Sequence, residues 1–145
     1  MAAASLQIPQ VLAFDVFGTV VDWHGSILRE MAQRYPQVDG DAFASAWRKG
    51  YRPAMEQVRN GTLGWMRIDA LHRRILDDIL PEFGLGNMTE TERVALNRVW
   101  HRLSPWPDAV AGLQRLKKRF VITPLSNGNI ALLTHMAKNA GLPWD

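Results

Sequence analysis

The stretch Val11-Leu-Ala-Phe-Asp15-Val-Phe-Gly-Thr19-Val-Val-Asp22 constrains this chain more than any other part of it. Its first four residues are apolar and predict a short buried strand. That strand delivers a carboxylate, Asp15, to the point where it stops. Gly18 lets the backbone turn tightly, and Thr19 offers a hydroxyl four positions after the acid. An acid at the carboxyl end of a buried strand lies where open α/β sheets bind ligands. The spacing alone is equally consistent with an Asp that only caps a turn or a helix.

Phe17 sharpens the choice. The stretch resembles the first motif of the haloacid dehalogenase superfamily, whose phosphatases carry Asp-x-Asp-x-Thr. In that motif the first Asp is the nucleophile and the second a general acid/base. Phe17 occupies the second position. A phenyl ring neither protonates a leaving alkoxide nor activates water. It does line an apolar pocket suited to a carbon–halogen substrate. Halide leaves without protonation, so the missing acid is no defect for dehalogenation. The motif therefore looks like the hydrolytic L-2-haloacid (type II) branch rather than the phosphatases.

Composition excludes several other classes. With 145 residues, 47% of them hydrophobic, the chain can bury one sizeable core. Residues 1–10 lack a basic start followed by a long apolar run, so neither a signal peptide nor a membrane span is expected. There is no Cys, which rules out disulfides and thiolate chemistry and agrees with a cytoplasmic setting. The formal charge is +3, and the densest basic groups are Arg73-Arg74 and Lys117-Lys118-Arg119. Such groups on helices usually face solvent, so no nucleic-acid partner is expected. The four histidines, at 24, 72, 101 and 135, lack metal-ligand spacing and form no nucleophile triad; surface positions are expected for them. No metal and no cofactor is expected.

The order of elements suggests two structural units. After the strand at Val11–Phe14, helices are predicted over 26–35, then from an Asp41 cap to about 59, then over 65–80. Residues 81–87 read as a loop, and Thr89 with Glu92 as a capping box opening a helix to Trp100. Residues 103–108 read as a rigid connection, followed by a helix to 119 and a second strand over 120–124. Asn129 is expected to cap a last helix that ends at Ala140-Gly141. The fold class read from this order is α/β, with an incomplete doubly wound parallel, Rossmann-like core and an inserted all-helical cap. Residues 1–22 and 101–145 form the core, and 23–100 the cap, as the resemblance also implies. A compact mixed domain without a separable cap is the alternative.

The resemblance assigns roles to particular residues. Asp15 would attack the α-carbon, expel halide and form an aspartyl ester that water then hydrolyses, giving a 2-hydroxy acid. Thr19 would orient the carboxylate. Leu125-Ser126-Asn127-Gly128 resembles the family's second motif, a strand followed by Ser-Asn-Gly. Ser126 would hold the substrate carboxylate and Asn127 the departing halide. Without the resemblance, Ser-Asn-Gly simply makes a turn. Arg48, on the helix carrying Ala44, Tyr51 and Met55, matches the family's halide-cradling arginine, with Arg52 its nearest competitor. Phe17, Tyr51 and Trp65 are expected to wall the substrate pocket, and Trp47 to pack in the core.

The resemblance accounts for only the front portion of a family member. The family's third-motif Lys and its later Ser, Asn and Asp have no counterpart here, and Lys138 is no match because it directly follows the second motif. A fragment of a longer enzyme is therefore expected, inactive by itself, with a homodimer as the expected full-length form. The implied activity of that parent is (S)-2-haloacid dehalogenation of short 2-haloalkanoic acids, without cofactor. Magnesium-dependent phosphatase chemistry and a non-catalytic, truncated interaction protein are the alternatives.

Overall fold

The computed structural model describes residues 8–145, so the expectation for residues 1–10 and the start of the first core segment fall largely outside it. Two strands form the floor of the candidate site. Strand β1 (Val11–Phe14) pairs in parallel with β4 (Val121–Pro124), in the register Val11 to Val121 and Phe14 to Pro124. Their carboxyl ends therefore lie side by side. The amide of Leu125 donates to the carbonyl of Phe14 at 2.7 Å, which continues the pairing past Pro124.

Strand β1 is not buried as expected. Val11 and Ala13 are exposed, and Leu12 and Phe14 only half-buried. Its only strand neighbour among the described residues is β4, whose Val121 is exposed beside Val11. Ile122, on the other face of β4, is fully buried.

A second, two-residue pairing was not legible. β2 (Val21–Asp22) runs antiparallel to β3 (Ser104–Pro105), inside the segment read as a plain connection. It ties the chain's exit into the helical segment to its return. Ser26 reinforces the tie, because its Oγ accepts from the Ser104 amide at 2.9 Å.

Four helices lie between these two points: α1 (Trp23–Arg34), α2 (Gly40–Arg59), α3 (Ile68–Ile79) and α4 (Glu90–Asn97). Asp22 caps α1 by accepting from the Gly25 amide. Asp39, not Asp41, caps α2, and Asp41 falls in its first turn. The cap precedes the first helical residue, so the helix starting at Gly40 selects Asp39. Helix α3 starts at Ile68, which leaves Trp65 in the preceding loop. Leu80, expected to end the helix, and 81–83, expected as loop, together form a 3-10 turn that Gly84 ends at φ +71°.

The Thr89–Glu92 capping box forms in both directions. Helix α4 nevertheless stops at Asn97, and a 3-10 turn over 98–102 carries Trp100. Two further helices, α5 (Ala109–Lys117) and α6 (Ile130–Ala140), flank β4. Gly141 closes α6 in the left-handed region, as expected from Ala140-Gly141. One cluster of buried residues runs from Val16 and Val20 through Ile27, Phe43, Trp47, Leu76 and Trp100 to Ile122, Leu132 and Met136.

Candidate active site

Asp15 follows β1 directly and opens a tight turn. The amides of Val20 and Val21 both donate to the Val16 carbonyl, at 2.9 and 3.1 Å, and Gly18 N–H donates to the Val21 carbonyl at 2.9 Å. Gly18 sits at φ +91°, where a side chain strains the backbone. Val16, Val20 and Val21 are buried, so packing holds the turn from below while Asp15 and Thr19 stay exposed above. The indole N–H of Trp106 donates to the Gly18 carbonyl at 3.0 Å and fastens the turn to the returning chain.

Both Asp15 oxygens are held. Thr19 Oγ1 donates to Oδ2 at 3.0 Å and Ser126 Oγ donates to Oδ1 at 3.0 Å. The first bond is local. The second joins residues 111 positions apart and follows from the parallel register, which sets the two strand ends beside each other. The carboxylate is thus oriented by two hydroxyls, and each oxygen keeps a lone pair for further use.

A cavity of about 90 Å³ adjoins Asp15, lined by Phe17, Arg48, Tyr51, His72, Trp100, Ser126 and Asn127 as well. Arg48 comes from α2. Its guanidinium lies over the ring of Tyr51 at 4.9 Å and that of Trp23 at 5.8 Å from the centroids. A flat cation braced by aromatic faces keeps its N–H edge free for an anion. Arg52 borders a separate surface recess with Lys49, Met55 and Arg59, away from Asp15.

Six of the eight predicted site residues, Asp15, Phe17, Arg48, Tyr51, Ser126 and Asn127, border this cavity, and Thr19 is bonded to Asp15. Trp65 does not border it. It is 84% exposed and lines an open cleft of about 940 Å³ with Met55, Ile68 and Ile130, which meets the Asp15 cavity only at Ser126 and Asn127. The loop before α3 carries it outward, whereas a helix starting at 65 was expected.

Two lining residues were missed. His72 is 4% exposed, not at the surface as expected. Its position one residue past Leu71, with Ile75, Leu76 and Ile79 at helical spacing below it, was the available signal. Burial, the largest cause, pushes its imidazole down to about 3, with Arg48 and His101 adding in the same direction against Asp69. His72 is therefore neutral at ordinary pH. Trp100 stacks on it at 4.2 Å, and also meets Phe17, Trp23 and Trp47. Trp47 packs in the core as expected, and its indole donates to the His72 carbonyl at 2.9 Å.

Next to the site, Asn129 does not cap α6 with its side chain. Its Nδ2 donates to Asp69 Oδ2 at 2.9 Å and its Oδ1 accepts from the Asp69 amide at 3.2 Å. Asp69 Oδ1 also pairs with His101 Nε2 at 2.9 Å, and His101 meets His135 at 3.0 Å. This network joins α3 to α6, and neither histidine in it is an isolated surface group.

A family model for haloacid dehalogenase-like hydrolases matches residues 9–144. The chain belongs to the haloacid dehalogenase-like hydrolases. Among solved structures, this chain is similar to the L-2-haloacid dehalogenase PA0810, at 41% identity and TM-score 0.88, over 96% of this chain and 60% of that one. It is similar to the defluorinating L-2-haloacid dehalogenase Rha0230, at 46% identity and TM-score 0.87, over 94% and 58%. The L-2-haloacid dehalogenase from Xanthobacter autotrophicus aligns at 25% identity and TM-score 0.82, over 95% and 55%. The chain thus spans at most 60% of the length of these relatives. No curated protein matched it. The parallel strands with flanking helices agree with the expected Rossmann-like α/β class.

Proposed function

We propose that the complete protein hydrolyses short 2-haloalkanoic acids to 2-hydroxy acids through an aspartyl ester, with Asp15 as nucleophile and residues 23–100 as the cap over the core. The observation that carries this is a carboxylate oriented by Thr19 and Ser126 in a cavity that presents Phe17 and Arg48 instead of a second acid. An Asp15 oxygen attacks the α-carbon, and the carbon–halogen electron pair leaves with the halide. The Arg48 guanidinium and Asn127 amide stabilise that developing anion without giving up a proton. When substrate enters, the Ser126 hydroxyl, which has one proton to give, turns from Asp15 to the substrate carboxylate. Water then attacks the ester carbonyl and restores Asp15.

The size of the cavity supports short acids. A volume of about 90 Å³ takes roughly three water-sized groups, which suits acids of two or three carbons. The 41% and 46% identities to two L-2-haloacid dehalogenases favour the (S) enantiomers. The absence of Cys agrees with a cytoplasmic setting.

The test is halide release from each enantiomer of 2-chloropropionate by the complete open reading frame, with Asp15→Asn alongside. Release confined to the (S) substrate and abolished in Asp15→Asn is expected. Magnesium-dependent phosphate release from small esters, lost in Asp15→Asn, would replace this reading with a phosphatase.

A further inference from the structure

Asn129 gives up one role for another. It stands at the N-cap position of α6, where an Asn side chain normally accepts from an amide of the first turn, yet it makes no such bond. Its side chain reaches instead to Asp69, the second residue of α3. Nδ2 donates to Asp69 Oδ2 at 2.9 Å, and Oδ1 accepts from the Asp69 N–H at 3.2 Å. Asp69 is held by other elements in turn. His101 Nε2 meets its Oδ1 at 2.9 Å, and Asn97 Nδ2, at the end of α4, donates to its carbonyl at 3.0 Å. Both members of the Asp69–Asn129 clasp are half-buried. A local rule set aside for a two-point contact to a distant element marks a position where placement outweighs helix stability.

The clasp acts on the loop just before it. Ser126, Asn127 and Gly128 lead directly into Asn129. On its other side this loop rests on α6, because a side-chain carbon at Gly128 would come within 2.8 Å of Leu133 Cγ. The loop is therefore gripped between α6 and α3, and from within it Ser126 donates to Asp15. We propose that Asn129 and Asp69 are positioning residues, which fasten the Ser126–Asn127 loop to α3 and so set the hydroxyl and the amide where Asp15 meets its substrate. The inference rests on the dehalogenation reading and adds to it two residues that do not line the Asp15 cavity. A displacement of about 1 Å at reacting groups costs roughly a hundredfold in rate. Because α3 lies in the segment proposed as the cap, a shift of that segment is felt at Ser126.

The test exchanges the two partners in the complete protein. Asn129→Asp sets two carboxylates against each other and opens the clasp. Asp caps a helix as well as Asn does, so α6 itself is not weakened. Adding Asp69→Asn closes the clasp with its roles reversed, since the amide then donates to the carboxylate across from it. In halide release from (S)-2-chloropropionate, Asn129→Asp is expected to lower kcat by roughly tenfold to a hundredfold, and the double variant to regain most of it. Arg73→Ala breaks the ion pairs of α3 with Asp77 and Glu90 and is expected to lower stability while leaving kcat unchanged.

A second readout needs no turnover. The backbone amide signals of Ser126 and Asn127 in the nuclear magnetic resonance spectrum are expected to move in Asn129→Asp and to return in the double variant. A kcat unchanged in Asn129→Asp, a double variant that does not regain it, or an equal fall in Arg73→Ala overturns the proposal and leaves dehalogenation standing. A wild-type protein that releases no halide sinks the dehalogenation reading instead. The two amide signals then still decide whether the clasp holds the loop: signals unmoved by Asn129→Asp overturn it.

Discussion

At the scale of single residues, charge shape separates Arg48 from its neighbours. Lys keeps the charge of Arg48 but lacks the flat fork that Tyr51 and Trp23 brace. In the complete protein, Arg48→Lys is expected to lower kcat and kcat/KM together by roughly tenfold to a hundredfold, as for an interaction made mainly in the transition state. Arg52→Lys, outside the Asp15 cavity, is expected to stay near wild type. The reverse ranking in steady-state kinetics would move the assignment to Arg52. Gly18 bears on the same site through the backbone. Gly18→Ala is expected to destabilise the chain by about 1–2 kcal/mol, the cost of a side chain at positive φ, read from urea denaturation.

At the scale of elements, chemistry was more legible than boundaries. Asp15, Thr19, Ser126 and Asn127 stand at strand ends that apolar runs mark clearly, so the sequence placed them together. Trp65 was misread because its apolar neighbours extended a periodicity that the backbone takes up only at Ile68. Asp41 and Asp39 are both good caps, and only the helix start decides between them. His72 and Trp100 escaped notice for a different reason. Their burial depends on α3 and the 3-10 turn over 98–102 meeting in space, which local spacing does not encode.

The junction of α3 with α6 was equally hidden, since Asp69 and Asn129 are 60 residues apart. Asp69→Ala removes acceptors from both Asn129 and His101. It is expected to cost roughly 1–3 kcal/mol in urea denaturation. The double variant with Asn129→Ala should lose less than the sum of the two single losses, because the pair shares its bonds.

For the whole molecule, the buried His72 couples stability to pH. Its folded pKa of about 3 lies below the ordinary 6.5, so the unfolded chain binds the extra proton between those values. Stability therefore rises with pH across that window. This contribution is complete above about pH 6.5 and is lost as pH falls toward 3. The pKa lowering of Asp77, opposed by its burial but driven by Arg93 and Arg73, steepens the same acid limb at its lower end. His72→Phe is expected to flatten the limb between pH 4 and 6.5 without removing the carboxylate part. An unchanged pH profile of the urea midpoint would show that His72 is charged in the folded chain.

The pairing of Val11 with Val121 also sets an order of events. The helices between them make mostly near-neighbour contacts, while Asp15 meets Ser126 only after a loop of 110-odd residues closes. Closing such a loop costs roughly 4 kcal/mol of chain entropy. During refolding, far-ultraviolet helical signal should therefore recover first, and the Asp15–Ser126 contact last. On the proposed role of Asp15, its two-sided grip by Thr19 and Ser126 would then be among the final features the chain acquires, so a partly folded form leaves that carboxylate half held.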